Sequence, residues 1–229
     1  MKFLNFNKVL CLSPHPDDVE YGMLGSMCKY KDTKFDILTM SVGGNFDNTT
    51  DVTRFDESLK VVEHIDNVDS QLLDTIDYLK NVSEDEMISK IESKYDISKY
   101  DAVFIPPEED THQDHKKVSV IGKALTRKHK CGIIDYKTPH TLDHWIPNFF
   151  VDLHHHESRN SEDGHSEGTH VLFLAATWYI KLNRMKKFES QKKQPYFSDD
   201  SIKSFHSNYQ CTRRGMNNVE QFKIIRGYN

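Results

Sequence analysis

The chain has 229 residues, of which 37% are hydrophobic and 11% aromatic, and its formal net charge is −5. That is enough for one domain with its own core, and no long basic run suggests a nucleic-acid partner. Its longest apolar run, Val171 to Ile180, falls well short of the roughly 20 residues that a membrane-crossing helix needs.

The first predicted element is a strand, Lys8–Ser13, built on Val9-Leu10-Cys11-Leu12. It ends in Ser13-Pro14-His15-Pro16-Asp17-Asp18. Proline fixes φ and pushes the residue before it toward extended geometry, so this segment is stiff and joins no helix before Asp17. A helix over Gly22–Lys31 follows, then a strand over Phe35–Met40 that runs into a turn at Ser41-Val42-Gly43-Gly44. Thr53–Ile65 reads as a helix with Phe55, Leu59, Val62 and Ile65 on one stripe. Ser70–Asp74 is a short strand. Ser83–Tyr95 is a helix capped by Ser83, with Glu86 completing a capping box. Tyr100–Ile105 is a strand, followed by Pro106-Pro107 and then His112-Gln113-Asp114-His115. Asp114–His129 continues as a helix with Val118, Ile121 and Leu125 on one face. This alternation predicts a single α/β domain over residues 1–229, Rossmann-like, with a mostly parallel sheet and helices on both faces. Functional groups then belong at the C-terminal ends of the strands.

Two strands ending in His and Asp clusters point to one centre. If the strands are neighbours, His15, Asp18 and His115 surround a common point. Two imidazoles and one carboxylate suit a catalytic zinc with a position left for water. Asp17, adjacent to Asp18, points elsewhere and is free to act as a base. Asp114 can hold an imidazole in its charged form. No Gly-x-Gly-x-x-Gly follows the first strand, which weakens a dinucleotide reading.

At these residues the chain resembles the PIG-L family, also called LmbE-like, of metal-dependent N-acetylglucosamine deacetylases. The resemblance rests on Pro14-His15-Pro16-Asp17-Asp18, its continuation Val19-Glu20-Tyr21-Gly22, and His112-x-Asp114-His115. Gly43-Gly44, Arg54-x-x-Glu57, Asn148-Phe149-Phe150-Val151-Asp152, Ser190-Gln191, Arg214-Gly215 and Glu220-x-Phe222 extend it. It implies His15, Asp18 and His115 as ligands of zinc or ferrous iron, with Asp17 as general base. His112 is then the group that stabilises the oxyanion or protonates the leaving amine, and Arg54 a sugar contact. The implied reaction removes the N-acetyl group from a GlcNAc-containing conjugate or glycolipid and releases acetate. The implied partner is a small N-acetylated amino sugar, with a homo-oligomer left open. Two alternatives stand beside it: hydrolysis of another N-acyl substrate by the same centre, and a non-catalytic sugar- or nucleotide-binding module. Asp17 beside the ligands argues against the second.

Residues 154–178 depart from the family's pattern. They hold His154, His155, His156, His165 and His170 in a stretch rich in Ser and Glu. An exposed loop that tunes substrate access is the expectation here, ahead of a second metal site. Cys11, Cys28, Cys131 and Cys211 form no Cys-x-x-Cys pair. With an N-terminus that lacks a long apolar core, they argue for free thiols in the cytoplasm.

Overall fold

A computed structural model of the protein describes residues 1–43, 52–73, 79–153 and 176–227. Its strands are β1 (Lys8–Ser13), β2 (Lys34–Thr39), β3 (Val68–Leu72), β4 (Ala102–Ile105), β5 (Gly132–Tyr136), β6 (Phe149–Asp152) and β7 (Val219–Arg226). They form one seven-stranded sheet in the order β3-β2-β1-β4-β5-β7-β6. The first five are parallel, with Val9 opposite Ala102 and Val9 also opposite Phe35. β7 and β6 complete the sheet antiparallel.

The helices are α1 (Asp18–Lys29), α2 (Thr53–Val62), α3 (Glu84–Lys94), α4 (Gln113–Leu125) and α5 (Ala176–Met185), then the short α6 (Asp199–Phe205) and α7 (Tyr209–Thr212). Side chains alternate across a strand, so each strand feeds two cores. Val9, Cys11, Phe35, Ile37 and Phe104 pack with α1, α2 and α5. Leu10, Leu12, Leu38, Val103 and Ile105 pack with α3 and α4 on the other face. The sheet is thus covered on both sides, as the alternating pattern predicts. Among the described residues no helix is long and apolar enough to cross a membrane. All four cysteines are free.

Chain direction across the sheet reverses between β1 and β4. The chain goes from β1 to β2 on one side, and from β4 to β5 on the other. Such a switch point leaves a crevice beyond the carboxyl ends of the two strands. The loops leaving β1 and β4 carry the two His and Asp clusters.

Three local differences from the sequence expectations have physical causes. α1 begins at Asp18 rather than Gly22, because Glu20 accepts the Asp17 N–H at 3.2 Å and starts the helix early. α2 ends at Val62 and buries Glu57, Ser58, Val61 and Val62, while Leu59 is exposed. Its polar residues are buried because each has a partner: Glu57 takes the Ser190 N–H at 3.0 Å and its hydroxyl at 2.6 Å, and Ser58 donates to Glu20. β5 and β7 were not expected, and they close the parallel sheet. The turn residue Gly44 and nearly all of residues 154–178 lie outside the described residues.

One buried ion pair ties the C-terminal half to α1. Lys181 of α5 donates to Glu220 of β7 at 2.6 Å and to Tyr21 O at 2.6 Å. Glu220 also accepts the N–H groups of Gly25 at 2.7 Å and Ser26 at 2.6 Å, and the Ser26 hydroxyl at 2.5 Å. A Cβ at Gly25 would come within 2.6 Å of Leu153 and 3.0 Å of Glu220, so only glycine lets β6 and β7 approach this closely.

Candidate active site

The turn after β1 is locked by its own polar groups. The Ser13 hydroxyl donates to His15 O at 2.6 Å, and the His15 N–H donates to Asp18 Oδ2 at 3.0 Å. This fixes His15 and Asp18 side by side at the start of α1. Asp18 Oδ2 lies 3.2 Å from His15 Nδ1 and 3.3 Å from His115 Nε2, with all three residues buried. Ligands bound tetrahedrally at about 2.0–2.1 Å stand about 3.3 Å apart, so both of these separations are those of donors to one ion. Among the described residues the three form one of two His and Asp groups able to hold a metal; the other is His15, His112 and Asp114.

The far nitrogens of both imidazoles are also held. His15 Nε2 lies 3.0 Å from Asp114 Oδ2, and His115 Nδ1 lies 2.9 Å from Asp110 Oδ2. A carboxylate behind a histidine fixes its tautomer and turns the near nitrogen toward a metal. Asp110 is fully buried and accepts from the Thr138 hydroxyl at 2.5 Å and from the His112 N–H at 2.7 Å. Asp114 therefore serves His15, across the crevice, and Asp110 is the carboxylate that serves His115. Sequence reasoning missed Asp110, whose place in Glu108-Glu109-Asp110 looks like ordinary surface.

The electrostatics follow from this arrangement. Burial works against a charged His115, but Asp18 and Asp110 outweigh it and push the ring up to about 10. Burial likewise opposes charge on His15, and Asp114 and Asp18 raise it. Burial would raise Asp18, but His115 and His15 hold it well below the usual carboxylate range.

Asp17 is not one of these donors and is bonded to Arg54 instead. It has φ 123°, a left-handed geometry that costs a non-glycine residue roughly 1–3 kcal/mol. Burial raises its carboxyl to about 6, against the pull of Arg54. Arg54 donates to Asp17 Oδ2 through Nε at 3.0 Å and through Nη2. Arg54, for which a sugar contact is the expectation, is bonded here to Asp17. Gly43, at φ 89°, makes the approach of α2 possible: a Cβ there would sit 2.7 Å from Arg54 Nη1 and 3.3 Å from His15 Cβ.

His112 caps α4, its Nδ1 accepting the Asp114 N–H at 3.2 Å. The ring packs against His15 at 4.7 Å and stacks on His115 at 4.8 Å between centroids. Burial, with His15 and His115 nearby, lowers it to about 4. A neutral His112 accepting at Nδ1 carries its proton on Nε2. Beside it lie two residues that the sequence did not flag. His140 is 6.0 Å from His112 between ring centroids, and Tyr196 packs on His140 at 5.5 Å.

Residues 10–126, just over half of the chain, match the family model described as PIG-L: GlcNAc-PI de-N-acetylase. The chain belongs to the PIG-L family. No curated protein sequence matches it. Solved structures that share its fold include the N,N'-diacetylchitobiose deacetylase of Pyrococcus horikoshii, at 19% identity and TM-score 0.66, covering 98% of this chain and 86% of that one. GalB, the 4-carboxy-2-hydroxymuconate hydratase of Pseudomonas putida KT2440, has 13% identity and TM-score 0.71, covering 100% of this chain and 98% of that one. A zinc-inhibited form of a teicoplanin deacetylase has 9% identity and TM-score 0.60, covering 94% and 96% of the two chains. Deacetylases and a hydratase thus share this PIG-L architecture, and the choice of chemistry lies in the site.

Proposed function

We propose that the protein is a metal-dependent N-deacetylase that removes the acetyl group from a small GlcNAc-containing conjugate, releasing acetate and a free amino sugar. The observation that carries this reading is the convergence of His15 Nδ1, Asp18 Oδ2 and His115 Nε2, with Asp17 next in the chain. These three residues would hold the ion, zinc or ferrous iron, with Asp114 and Asp110 orienting its imidazoles. A divalent ion there supplies a Lewis acid for the acetyl carbonyl and lowers the pKa of a bound water.

The chain's own residues supply the rest. Asp17, at about 6, is basic enough near neutral pH to take a proton from the attacking water. Arg54 keeps the Asp17 carboxylate oriented. His112, neutral and protonated on Nε2, donates a hydrogen bond to the oxygen where negative charge develops. With His112 held neutral, the protonated Asp17 is the group that returns a proton to the departing nitrogen. His140, packed near His112 and His115, and Tyr196, packed on His140, would adjoin the bound substrate.

The test is acetate release from a panel of GlcNAc conjugates by metal-depleted protein reloaded with zinc or with ferrous iron. A zinc-inhibited relative is a reason to titrate both metals. Acetate from at least one conjugate, abolished by chelation, supports the reading. No acetate from any N-acetylated sugar with either metal contradicts it.

A further inference from the structure

We propose that Glu20 is a positioning residue that holds Asp17 in its left-handed conformation and locks it to the helix carrying Arg54. The inference rests on Asp17 being the general base, and it adds a residue two positions beyond the metal-site motif. Asp17 has φ 123° and ψ −28°, a geometry that a non-glycine residue keeps only when its surroundings impose it. Glu20 supplies that constraint. Its Oε2 accepts the Asp17 N–H at 3.2 Å, and its Oε1 accepts the hydroxyl of Ser58 on α2. Four residues before Ser58, Arg54 grips the Asp17 side chain. The four residues form a closed ring: Asp17 backbone, Glu20, Ser58, and back through α2 and Arg54 to the Asp17 carboxylate.

Glu20 and Ser58 are fully buried, so neither is placed there by solvent. A buried carboxylate at this position has no packing advantage over leucine or methionine, and it is costly unless its oxygens are bonded. Its two bonds run to the backbone of the base and to the helix that orients the base. Backbone and side chain of Asp17 are thus fixed relative to one another through α2. Loss of that tie lets Asp17 relax toward ordinary φ and moves its carboxylate relative to Asp18, and displacements near 1 Å cost about 10²-fold in rate.

Glu20→Ala, Glu20→Gln and Ser58→Ala test this in the metal-loaded protein. Glutamine can still accept from the Asp17 N–H while its amide donates to Ser58. The expected result is a kcat for Glu20→Ala lower by about 10- to 100-fold, with KM within twofold and metal content unchanged. Glu20→Gln should recover to within about threefold of the wild type, and Ser58→Ala should lie between. A crystal structure of Glu20→Ala should show Asp17 out of the positive-φ region. That readout needs no turnover, so it decides the role of Glu20 even if the protein releases no acetate. An unchanged kcat together with an unchanged Asp17 φ in Glu20→Ala overturns the proposal. If Glu20→Ala does not fold, Ser58→Ala with wild-type kcat and Asp17 geometry overturns it.

Discussion

Two clusters of buried charge meet α1, one at its N-terminus and one at its middle. The Lys181–Glu220 pair is closed: one cation, one carboxylate, and neighbouring helix groups bonded to both. The centre around Asp18 is open: two imidazoles turn their near nitrogens to one carboxylate oxygen, and each is held from behind by another carboxylate. A satisfied pair fixes the fold, while two imidazoles and a carboxylate converging on one point are the donor set of a cation site. Burial is common to both, so burial alone does not mark function.

The largest expected effect breaks the open cluster without unfolding it. Asp17→Asn keeps size and loses basicity. It should retain metal and folding while kcat falls roughly 10²–10⁴-fold, as measured by acetate release beside metal analysis. Wild-type turnover with normal metal would remove Asp17 from the mechanism. The converse change strikes the closed cluster. Glu220→Ala leaves Lys181 charged and unpaired in the core, so stability should fall by about 3–5 kcal/mol, on the order of 10 °C in Tm. Calorimetry checks this, and a melting temperature within two degrees of wild type would mean that the pair is dispensable.

Asp110→Asn sharpens the comparison, because it loosens His115 without removing a donor from the centre. Metal affinity should fall about 10- to 100-fold, read by competition with a chelator, while the fold persists. An unchanged affinity would show that Thr138 and packing suffice to orient His115. A further signature is the pH dependence of the metal-free protein. His115 rises from its ordinary 6.5 to about 10 on folding, so its protonated form stabilises the native state fully below 6.5. That contribution is lost as pH climbs through 10. Melting temperature of the metal-free protein should therefore decline between pH 6.5 and 10, and bound metal, which displaces the proton, should flatten the decline. Parallel curves with and without metal would separate His115 from the ion.

The same contrast explains what the sequence revealed. β1 and β4 were legible because both faces are buried, leaving apolar runs that stop at prolines. The His and Asp clusters then had to lie at strand ends. Within the stripe Phe55, Leu59, Val62 and Ile65, Leu59 misled: it is exposed, while Val62 is buried and α2 also buries the polar Glu57 and Ser58. Their partners, Ser190 and Glu20, are far away in sequence, and no periodicity reports them. β5 is a five-residue run without alternation, and β7 shows only as Glu220-x-Phe222 until the sheet is seen. Asp110 becomes recognisable only once His115 turns toward it. Arg54 reaches the crevice and bonds Asp17, and sequence spacing carries no information on that carboxylate partner.

The most direct measurement is the metal stoichiometry of the wild-type protein and of His115→Ala, each chelated, reloaded with one divalent metal at a time and desalted before elemental analysis. The wild type should hold close to one ion per chain and His115→Ala almost none, with both proteins folded. Equal metal in the two would contradict the assignment of His15, Asp18 and His115 as the site of the ion.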